Sequence, residues 1–433
     1  MEFNKYRLKD LAEYKNERIE TNQLTTENYI STENLLPNKQ GKQTASNLPS
    51  SKTVKKYTES DILISNIRPY FKKIWQANNI GGISNDVLNI TSSNNKISND
   101  YLYYYLSQDK FFQYMTQTSK GTKMPRGDKE AIMKFEIQVP KNVKYQNFIS
   151  KLGKFLDNKI EINNKIITNL EELSQTLFKR WFVDFEFPDE NGNLYKSNGG
   201  EMIDSELGEI PKGWKVSKFN DYIENIIAGD WGKQNEEGNY TCPTRIIRGA
   251  DLDSFSKGNK GKAPIRYILE KNYKKKKLIV GDIIIEISGG SPTQSTGRTL
   301  LIDDNIIAYN NKLVSTNFCK VIRPSVNYYS DWINEYLKYL YNRNVFFNYE
   351  NGTTGIKNLD YKSVLHTMKI ISPEIYLIKK FHYQTHKYYN YIQTLGYENK
   401  KLQDLRDTLL PKLMSGEIEI PDDIEVNNDE LSI

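Results

Sequence analysis

Residues 170–188 read LEELSQTLFKRWFVDFEFP, and a related stretch, KLQDLRDTLLPKLMSGEIEIP, occupies residues 401–421. Both stretches have the leucine spacing and the charges of an amphipathic helix, and both end at a proline. Three leucines of the first stretch have counterparts 232 positions later (402 − 170): Leu170, Leu173 and Leu177 match Leu402, Leu405 and Leu409. The two stretches therefore indicate that one structural unit occurs twice along the chain.

Three further pairs of similar stretches occur in the same order and support a duplication. These pairs are YRLKDLAEY (6–14) with WKVSKFNDY (214–222), TESDILISNIRPY (58–70) with IVGDIIIEISGG (279–290), and GTKMPRGDKEAIMKFEIQVP (121–140) with GTTGIKNLDYKSVLHTMKIISP (352–373). Four correspondences in one order are hard to obtain by chance. We therefore interpret the 433-residue chain as two tandem copies of one unit, each roughly half of its length.

Each copy begins with a mixed α/β part and ends with a long helix. Short β-branched runs at 61–65 and 282–286 predict strands, and the residues 99–115 and 330–346 have helical spacing. Proline is absent between Pro140 and Pro188, and again between Pro373 and Pro411, so each copy can continue into a helix of ~50 Å.

Apolar residues recur every seven positions along both predicted long helices. In the first helix this series is Ile149, Leu156, Asn163, Leu170 and Leu177, with Leu152, Ile166 and Leu173 at an interleaved position that Lys159 interrupts. In the second helix it is Phe381, Tyr388, Leu395, Leu402 and Leu409, with Tyr391 and Leu405 interleaved and with Gln384 and Glu398 as interruptions. Such a seam needs a partner, and the simplest partner is the other copy. We expect the two helices to pair as an antiparallel coiled coil.

The fold expected from these patterns is α+β: two tandem α/β domains, each followed by a long helix, with the two helices paired. The segments that we predict are a first domain at 1–140, a central helix at 141–187, a linker at 188–212, a second domain at 213–373, a C-terminal helix at 374–420 and an acidic tail at 421–433.

Composition places the chain among soluble cytoplasmic proteins. No apolar run approaches the ~18 residues that span a bilayer, and the charged N-terminus does not resemble a signal peptide. The cysteines Cys242 and Cys319 show no pairing or zinc pattern. The net charge of +6 is mildly basic and compatible with a polyanionic partner.

Several of these stretches resemble the specificity subunit of Type I restriction-modification systems. The quoted stretch at 170–188 is similar to the central conserved helix of that family, and ENGNLYKSNGG (190–200) with GEIPKGWKV (208–216) is similar to the entry into its second target-recognition domain. GDIIIEISGG and GTTGIKNLDYKSV are similar to its recurrent target-domain motifs, which are less specific. The resemblance covers essentially the whole chain.

The resemblance implies a DNA-binding, non-catalytic subunit of a complex that methylates adenine at N6 and cuts unmodified DNA such as that of phages. Each target-recognition domain would read one half of a bipartite double-stranded DNA site. The paired helices would set the spacer and dock two methyltransferase subunits, and motor-nuclease subunits would join the complex. S-adenosylmethionine, ATP and Mg²⁺ are expected on those partners and no cofactor or metal on this chain. The family's glutamine at the start of the long helix matches Gln146, but PEIYLIKKF (373–381) lacks it.

Known catalytic motifs are missing from the sequence, which agrees with a non-catalytic subunit. The chain contains no Pro-Pro pair, which the adenine methyltransferase motif would need, and no Walker A loop. His382 and His386 have the i, i+4 spacing of metal ligands, but residue 383 is not the glutamate of a zincin. We interpret both as solvated or subunit-facing histidines. A fused single-chain restriction-modification enzyme and a protein-binding coiled-coil scaffold are the alternatives to a DNA-reading subunit.

Two loops in each copy are candidates for DNA contact, because they combine basic or amide side chains with glycine or proline after a strand or before a short helix. Arginine suits guanine and glutamine suits adenine, whereas lysine contacts phosphates. The candidates are Arg68, Tyr70, Lys72, Lys73, Lys123, Arg126, Ser291, Thr293, Gln294, Arg298, Lys357 and Asn358. Polar surface loops and packing turns are the ordinary interpretation of the same segments. Because the loops differ between the copies, we expect an asymmetric target.

Three other features have both a structural and a functional interpretation. The lysine run 274–277 is either a solvated turn or a non-specific phosphate contact. Tyrosines at helical spacing are either core residues or base-stacking residues: Tyr101, Tyr103, Tyr104, Tyr105 and Tyr114. Trp181 and Phe182, which have no aromatic counterpart in the second copy, either anchor the chain at the end of the helix or contact a methyltransferase subunit. The helix-pairing and docking candidates are these two residues and the six matched leucines.

Overall fold

The computed structural model of the chain describes residues 1–289, 293–352 and 356–421. The chain divides into two compact units, one comprising Met1–Ile160 and the segment that begins at Leu402, the other comprising Glu161–Lys401. Among the described residues, no helix is both long enough and apolar enough to cross a membrane.

In the first part of the chain nine strands come before three short helices, and a tenth strand then leads into a 40-residue helix. The strands are β1 (Phe3–Arg7), β2 (Ala12–Tyr14), β3 (Arg18–Glu20), β4 (Tyr29–Ile30), β5 (Thr53–Tyr57), β6 (Ile62–Ser65), β7 (Ile74–Gln76), β8 (Gly81–Ile83), β9 (Val87–Ser92) and β10 (Glu136–Pro140). The helices are α1 (Asn99–Leu106), α2 (Asp109–Gln117), α3 (Lys129–Ile132) and the long α4 (Val143–Phe182).

The second part follows a similar order and ends in a 41-residue helix. The strands are β11 (Met202–Ile203), β12 (Ile210–Pro211), β13 (Lys215–Lys218), β14 (Ile223–Ala228), β15 (Cys242–Ile247), β16 (Ile265–Ile268), β17 (Ile283–Glu286), β18 (Ser288–Gly289), β19 (Thr299–Leu301), β20 (Leu313–Ser315), β21 (Cys319–Pro324), β22 (Glu350–Asn351), β23 (Lys357–Leu359) and β24 (Lys369–Ser372). The helices are α5 (Leu252–Ser256), α6 (Glu270–Lys276), α7 (Asp304–Tyr309), α8 (Tyr329–Asn342), α9 (Tyr361–His366) and the long α10 (Ile375–Ser415).

Equivalent sheets occur in the two units, which is the structural form of the sequence repeat. In the first unit β1 pairs with β10, and a four-stranded sheet has the order β2-β9-β6-β7. In the second unit β13 pairs with β24, and a four-stranded sheet has the order β14-β21-β17-β19. A further sheet stands beside each, with the order β3-β5-β8-β4 in the first unit and β16-β15-β20 in the second. The predicted mixed α/β domains are confirmed.

A buried aspartate precedes the central strand of each four-stranded sheet and holds the turn before it. Asp61, which is 1% exposed, accepts hydrogen bonds from the backbone N–H of Thr58 at 2.8 Å and from Nζ of Lys15 at 3.0 Å. Asp282 accepts two hydrogen bonds of 2.8 Å from the guanidinium of Arg323. A buried carboxylate needs such partners, so the matching aspartates of the repeat have a structural role.

The predicted helix at 99–115 is interrupted, because α1 ends at Leu106 and α2 begins at Asp109. The tyrosines on it pack inside the first unit: Tyr101, Tyr104 and Tyr105 are 0%, 4% and 6% exposed, and Tyr103 and Tyr114 are partly buried against the same core. They are therefore core residues and not a base-stacking surface.

The seam between the long helices lies one residue away from the predicted interleaved positions. Ile149, Leu156 and Asn163 are buried as expected, but the second buried series of α4 is Gly153, Ile160, Ile167, Ser174 and Trp181. The corresponding series of α10 is Thr385, Ile392, Asn399, Arg406 and Leu413, each buried or half-buried. In this frame Lys159 and Gln384 lie outside the seam and no longer interrupt it. Leu173 and Leu405, which are 46% and 49% exposed, also lie outside it, so their predicted place in the helix contact is wrong.

Contacts within the second unit show that the helices run antiparallel, as predicted. Moving along α4, Asn163 contacts Asn399 at 2.9 Å, Ile167 packs with Ile392 and Leu395, and Phe178 lies 6.2 Å from the ring of Phe381. Within the first unit, Arg406 of α10 forms an ion pair with Asp157 of α4. Leu170, Leu177, Leu402 and Leu409 are half-buried at the edges of the seam.

The end of α4 packs into the core of the second unit. Trp181 and Phe182 are 6% and 3% exposed, and the ring of Phe182 lies 5.1 Å from that of Phe381 and 6.1 Å from that of Trp214. Phe187, which was expected inside the helix, follows its end and stacks on Trp214, and the expected linker at 188–212 contains the antiparallel pair β11-β12. The aromatic end of the quoted stretch therefore anchors the chain where the helix stops.

Gln146 lies in the first turn of α4 and is 3% exposed. Its side-chain amide donates to the backbone carbonyl of Lys96 at 3.0 Å and to that of Pro140 at 3.3 Å. Within the first unit, this glutamine ties the start of the long helix to the loop before α1 and to the end of β10.

Candidate nucleic-acid interface

The two candidate loops of the first unit lie side by side. The backbone N–H of Arg68, in the loop after β6, donates to the carbonyl of Pro125 at 2.8 Å, and Ile67 forms a β-bridge with Arg126. The N–H of Gly127 donates to the carbonyl of Asn66 at 3.0 Å. Two segments more than fifty residues apart in sequence thus form one surface.

The loop that carries Arg68 has an unusual backbone. Arg68 and Lys72 adopt positive φ angles of 49° and 52° on either side of the short 3-10 turn Pro69–Phe71. A non-glycine residue in this region costs ~1 kcal/mol or more and persists only where its surroundings hold it. Here the carbonyl of Lys72 accepts from the N–H of Lys39 at 2.9 Å. The turn exposes Arg68, and Tyr70 and Phe71 are 48% and 40% exposed.

The other basic candidate residues of this surface differ in the ion pairs and hydrogen bonds that they form within the protein. Lys72 forms an ion pair of 2.7 Å with Asp109, and Arg126 lies 3.3 Å from Asp86. Lys73 is half-buried and donates to the carbonyl of Thr32, and burial lowers the pKa of its ammonium. Lys123 is exposed at the tip of its loop. Arg68 and Lys123 are therefore the candidates whose charge is most accessible to a partner.

The second unit brings the equivalent two segments together by strand pairing. β18, which follows β17 directly, pairs with β23, so that Ser288 lies opposite Asn358 and Gly289 opposite Lys357. The hydroxyl of Thr296 donates to Glu350 at 2.9 Å and links the loop to β22. Because β17 and β23 correspond to β6 and the segment at Arg126, both units build the same pair of loops.

Arginine and lysine candidates in the second unit are held by buried glutamates. Arg298 makes a two-pronged contact with Glu286, with distances of 2.8 and 2.7 Å, and this contact raises the pKa of the guanidinium. Lys357 lies 3.1 Å from Glu350 and 4.5 Å from the ring centre of Phe347. Both cations support the loop from inside, and a base contact by Arg298 would require this ion pair to open.

Thr293, Gln294 and Asn358 are exposed on the same pair of segments. Ser291 lies outside the described residues. Of the polar side chains predicted for this loop, those of Thr293 and Gln294 are therefore described and exposed. The side-chain amide of Gln294 suits an adenine edge.

Sequence reasoning missed two apolar residues on this surface. Phe318 is 62% exposed, and its carbonyl accepts from the N–H of Ile287 at 3.0 Å, which places it beside β18. Ile356, next to Lys357, is 61% exposed. The sequence did contain a signal for one of them. Phe318 lies directly before the buried strand β21, in a turn where a polar residue would be usual, and such a position indicates an exposed aromatic side chain.

The lysine run 274–277 forms the end of α6 and the residue after it. Lys276 donates to Asp230 at 3.1 Å and to the carbonyl of Gly229 at 2.9 Å, whereas Lys274 and Lys275 are exposed. The run is therefore a helix end with one structural lysine and not a turn.

The histidines of α10 are partly buried against the second domain, whereas the sequence predicted solvated or subunit-facing side chains. Nδ1 of His382 contacts Oδ2 of Asp331 of α8, and Nε2 of His386 lies 2.8 Å from Oδ2 of Asp304 of α7. Their side chains are 20% and 26% exposed. The heptad argument placed them away from the partner helix but gave no information about the domain packed on that side.

Comparisons with known proteins agree with the architecture. Residues 1–172 match the family described as the Type I restriction modification DNA specificity domain. The MjaIX specificity subunit of a Type I restriction enzyme from Methanocaldococcus jannaschii is 27% identical over 334 residues, covering 75% of this chain and 70% of the relative. The HindI specificity subunit from Haemophilus influenzae is 23% identical and covers 96% of this chain and 100% of the relative.

A solved structure shows the same fold. The S subunit of a Type I restriction-modification system from M. genitalium superposes with a TM-score of 0.58 at 14% identity, covering 95% of this chain and 96% of that one. Residues 1–172 match the Type I restriction modification DNA specificity domain, and the chain is similar to Type I specificity subunits over most of its length.

Proposed function

We propose that each unit of this subunit reads one half of an asymmetric bipartite sequence in double-stranded DNA. The observation that carries the proposal is the repeated joining of two distant segments into one exposed surface, at Ile67 with Arg126 and at Ser288 with Asn358. The two surfaces differ in their side chains, and therefore the two half-sites should differ in sequence.

Within this proposal the exposed residues have distinct roles. Arg68 reaches a guanine edge in the major groove, and Gln294 or Asn358 reaches an adenine edge. Tyr70 stacks or packs at the edge of the site, and Phe318 contacts a thymine methyl group. Lys123 and Arg126 attract phosphates and set the position of the unit on the duplex. Lys72, Lys73, Arg298 and Lys357 support the loops through their internal contacts.

The paired helices set the spacer between the half-sites and dock two methyltransferase subunits, while motor-nuclease subunits join the complex through them. Exposed apolar residues on the long helices support docking, because such residues on a helix surface favour a protein partner. They include Ile162, Leu173, Tyr383, Tyr391 and Leu405. Methyl transfer to adenine N6 and ATP-dependent cleavage belong to the partners, which would carry S-adenosylmethionine, ATP and Mg²⁺.

Mapping N6-methyladenine across the genome, with and without the gene for this chain, tests the proposal directly. We expect the deletion to remove methylation from one motif that consists of two different short sequences separated by a fixed number of bases. Loss of a continuous motif, or no change while the partner methyltransferase is expressed, would contradict a bipartite reader. Methylation by the purified chain alone would support the fused enzyme instead.

A matched insertion tests the role of the helices. Duplicating residues 160–166 of α4 together with residues 396–402 of α10 adds one heptad to each side of the seam and keeps its phase. Seven residues add ~10 Å, which corresponds to about 3 base pairs. We expect a spacer longer by about that number with unchanged half-sites. The same duplication in α4 alone, which misaligns the seam, is the control and should abolish methylation.

A further inference from the structure

A cluster of two histidines and a buried carboxylate lies within the second unit and includes none of the candidate DNA-contacting residues. His382 and His386 are one turn apart on α10, and their ring centres are 5.0 Å from each other. Asp331 of α8, which is 1% exposed, faces them. One ring nitrogen of each histidine and one oxygen of Asp331 all lie within 4.8 Å of one another.

The carboxylate of Asp331 is oriented by a neighbour on α10. The hydroxyl of Thr385, which is fully buried, donates to Oδ1 of Asp331 at 3.0 Å, and Oδ2 faces Nδ1 of His382. Thr385 belongs to the buried seam series, so the packing of α10 fixes this contact. The cluster is thus built where α10 packs against α8 of the second unit.

Asp304 adds a second carboxylate, 2.8 Å from Nε2 of His386. The nearby Lys338 is already paired with the buried Glu335 at 2.9 Å. The carboxylates of Asp331 and Asp304 beside two imidazoles suit a divalent cation, because the cation balances negative charge, which burial makes costly at Asp331.

We propose that His382, His386 and Asp331 bind one divalent transition-metal ion of the zinc class. Two imidazole nitrogens and one carboxylate oxygen are a common donor set for zinc, with ligand distances of about 2.0–2.2 Å. Ligands of one ion are separated by roughly 3–4 Å, so a contraction of about 1 Å completes the site. Asp304 serves as the outer carboxylate that orients the ring of His386.

The ion fastens the long helix α10 to α8 of the second domain. Metal binding to the folded state adds its binding free energy to folding, and therefore the site stabilises the position of the helix on the domain. This role does not depend on which DNA sequence the subunit reads, so its failure would leave the proposed function intact.

Titration of the full-length, untagged chain with Co²⁺ tests the site, after treatment with EDTA and dialysis. If the chain needs its methyltransferase partner for solubility, the complex is used, with the partner alone as a blank. We expect saturation at one ion per chain, the visible absorption of four-coordinate Co²⁺, displacement by Zn²⁺ and a higher Tm with Zn²⁺. Absence of saturable binding by folded protein, or a Tm that neither Zn²⁺ nor EDTA changes, would show that the cluster is a set of ion pairs only.

Three variants identify the ligands. His386→Gln and Asp331→Asn should each weaken Co²⁺ binding at least about tenfold. His366→Gln changes the remaining histidine of the chain, which is exposed on α9, and should bind Co²⁺ as the wild type does. Circular dichroism verifies that each variant is folded. Normal binding by a folded His386→Gln variant, or loss of binding in His366→Gln, would overturn the assignment.

Discussion

Individual charged residues in this protein divide into those that hold loops and those that a partner can reach. Arg298 and Arg68 occur at similar places in the two copies, but Arg298 is held by Glu286 and Arg68 is exposed. The difference comes from the neighbouring strand, since a glutamate stands at the end of β17 where Ser65 ends β6. Similar positions therefore make different contacts in the two units.

Replacing Arg68 with alanine should relax recognition at one position of one half-site. A two-pronged arginine contact to guanine accounts for ~1–3 kcal/mol of discrimination. The measurement is binding of the assembled methyltransferase complex to duplexes that vary at each base. Lys123→Ala is the control and should weaken binding to all sequences about equally, with a smaller dependence on salt. Uniform weakening by Arg68→Ala would assign that residue to the phosphates instead.

The carboxylate of Asp230 should make a pH-dependent contribution to the free energy of unfolding. Burial raises the pKa of its carboxyl, but hydrogen bonds from Lys276 and Asn272 outweigh burial and hold the pKa below its ordinary value. A depressed pKa in the folded state stabilises the protein above the unfolded-state pKa, and this stability is lost as the pH falls through the folded-state pKa.

The variant Asp230→Asn should therefore be less stable than the wild type at neutral pH, by about 1 kcal/mol, and equally stable in acid. Urea unfolding at several pH values measures the difference. Asp253→Asn, whose carboxylate makes an exposed ion pair with Lys257, is the control and should change stability little. A difference that grows as the pH falls would contradict the assigned sign.

At the scale of elements, the long helices explain which positions tolerate change. Within each of the helices α4 and α10, buried residues follow one another at alternating steps of three and four positions, and some of these residues are polar. Asn163 donates to Asn399 at 2.9 Å and to Glu398 at 2.7 Å, within the second unit. A buried asparagine pair of this kind specifies register at some cost in stability.

Gly396 lies where α10 crosses the turn after α5. A Cβ atom there would be 1.8 Å from the carbonyl oxygen of Lys257 and 2.7 Å from Cα of Gly258. Alanine usually stabilises a helix relative to glycine by roughly 1 kcal/mol, but here backbone atoms would have to move apart. We expect Gly396→Ala to lower the Tm of the chain. Thr408→Ala, at an exposed position of the same helix, is the control, and a higher Tm for Gly396→Ala would disprove the close contact.

A substitution of Trp181 tests whether this residue anchors the chain in the second unit or contacts a methyltransferase subunit. Its side chain is 6% exposed and lies 6.1 Å from the ring of Phe381, so Trp181→Ala should cost ~3–5 kcal/mol of stability in the second unit. Leu173→Ala, on the exposed side of the same helix, should leave stability nearly unchanged and weaken binding of the methyltransferase subunits. Thermal unfolding and size-exclusion chromatography of the complex measure the two effects. A stable Trp181→Ala variant that fails to assemble would assign Trp181 to docking.

At the scale of the whole molecule, we expect the duplication to provide two DNA-reading units that can change independently. Each unit forms its loop surface from its own strands, so a substitution in one should leave the other half-site unchanged. Gln294→Ala should alter the methylated motif in one half only, and Arg68→Ala in the other half only, as measured by methylation mapping of cells that express each variant. Changes in both halves from either variant would contradict independent units.

The sequence by itself determined the duplication, the α/β class of each unit, the two long helices and the resemblance to Type I specificity subunits, because these depend on local periodicity and on short motifs. The tyrosines of α1 and α2 were correctly favoured as core for the same reason. The predicted interleaved series differs by one residue from the series that is buried. Leu152 and Leu173 suggested the predicted spacing, and only the packing of the folded chain shows which positions are buried.

Tertiary structure decided which residues meet. It joined Arg68 to the loop of Arg126, committed Arg298 to Glu286 and placed Asp331 against the histidines of α10. These contacts link residues tens of positions apart through strand register and helix packing, for which a single sequence contains no local signal. A periodic pattern identifies the face that an element buries, but the partner on that face and the charges it brings depend on the packing of the folded chain.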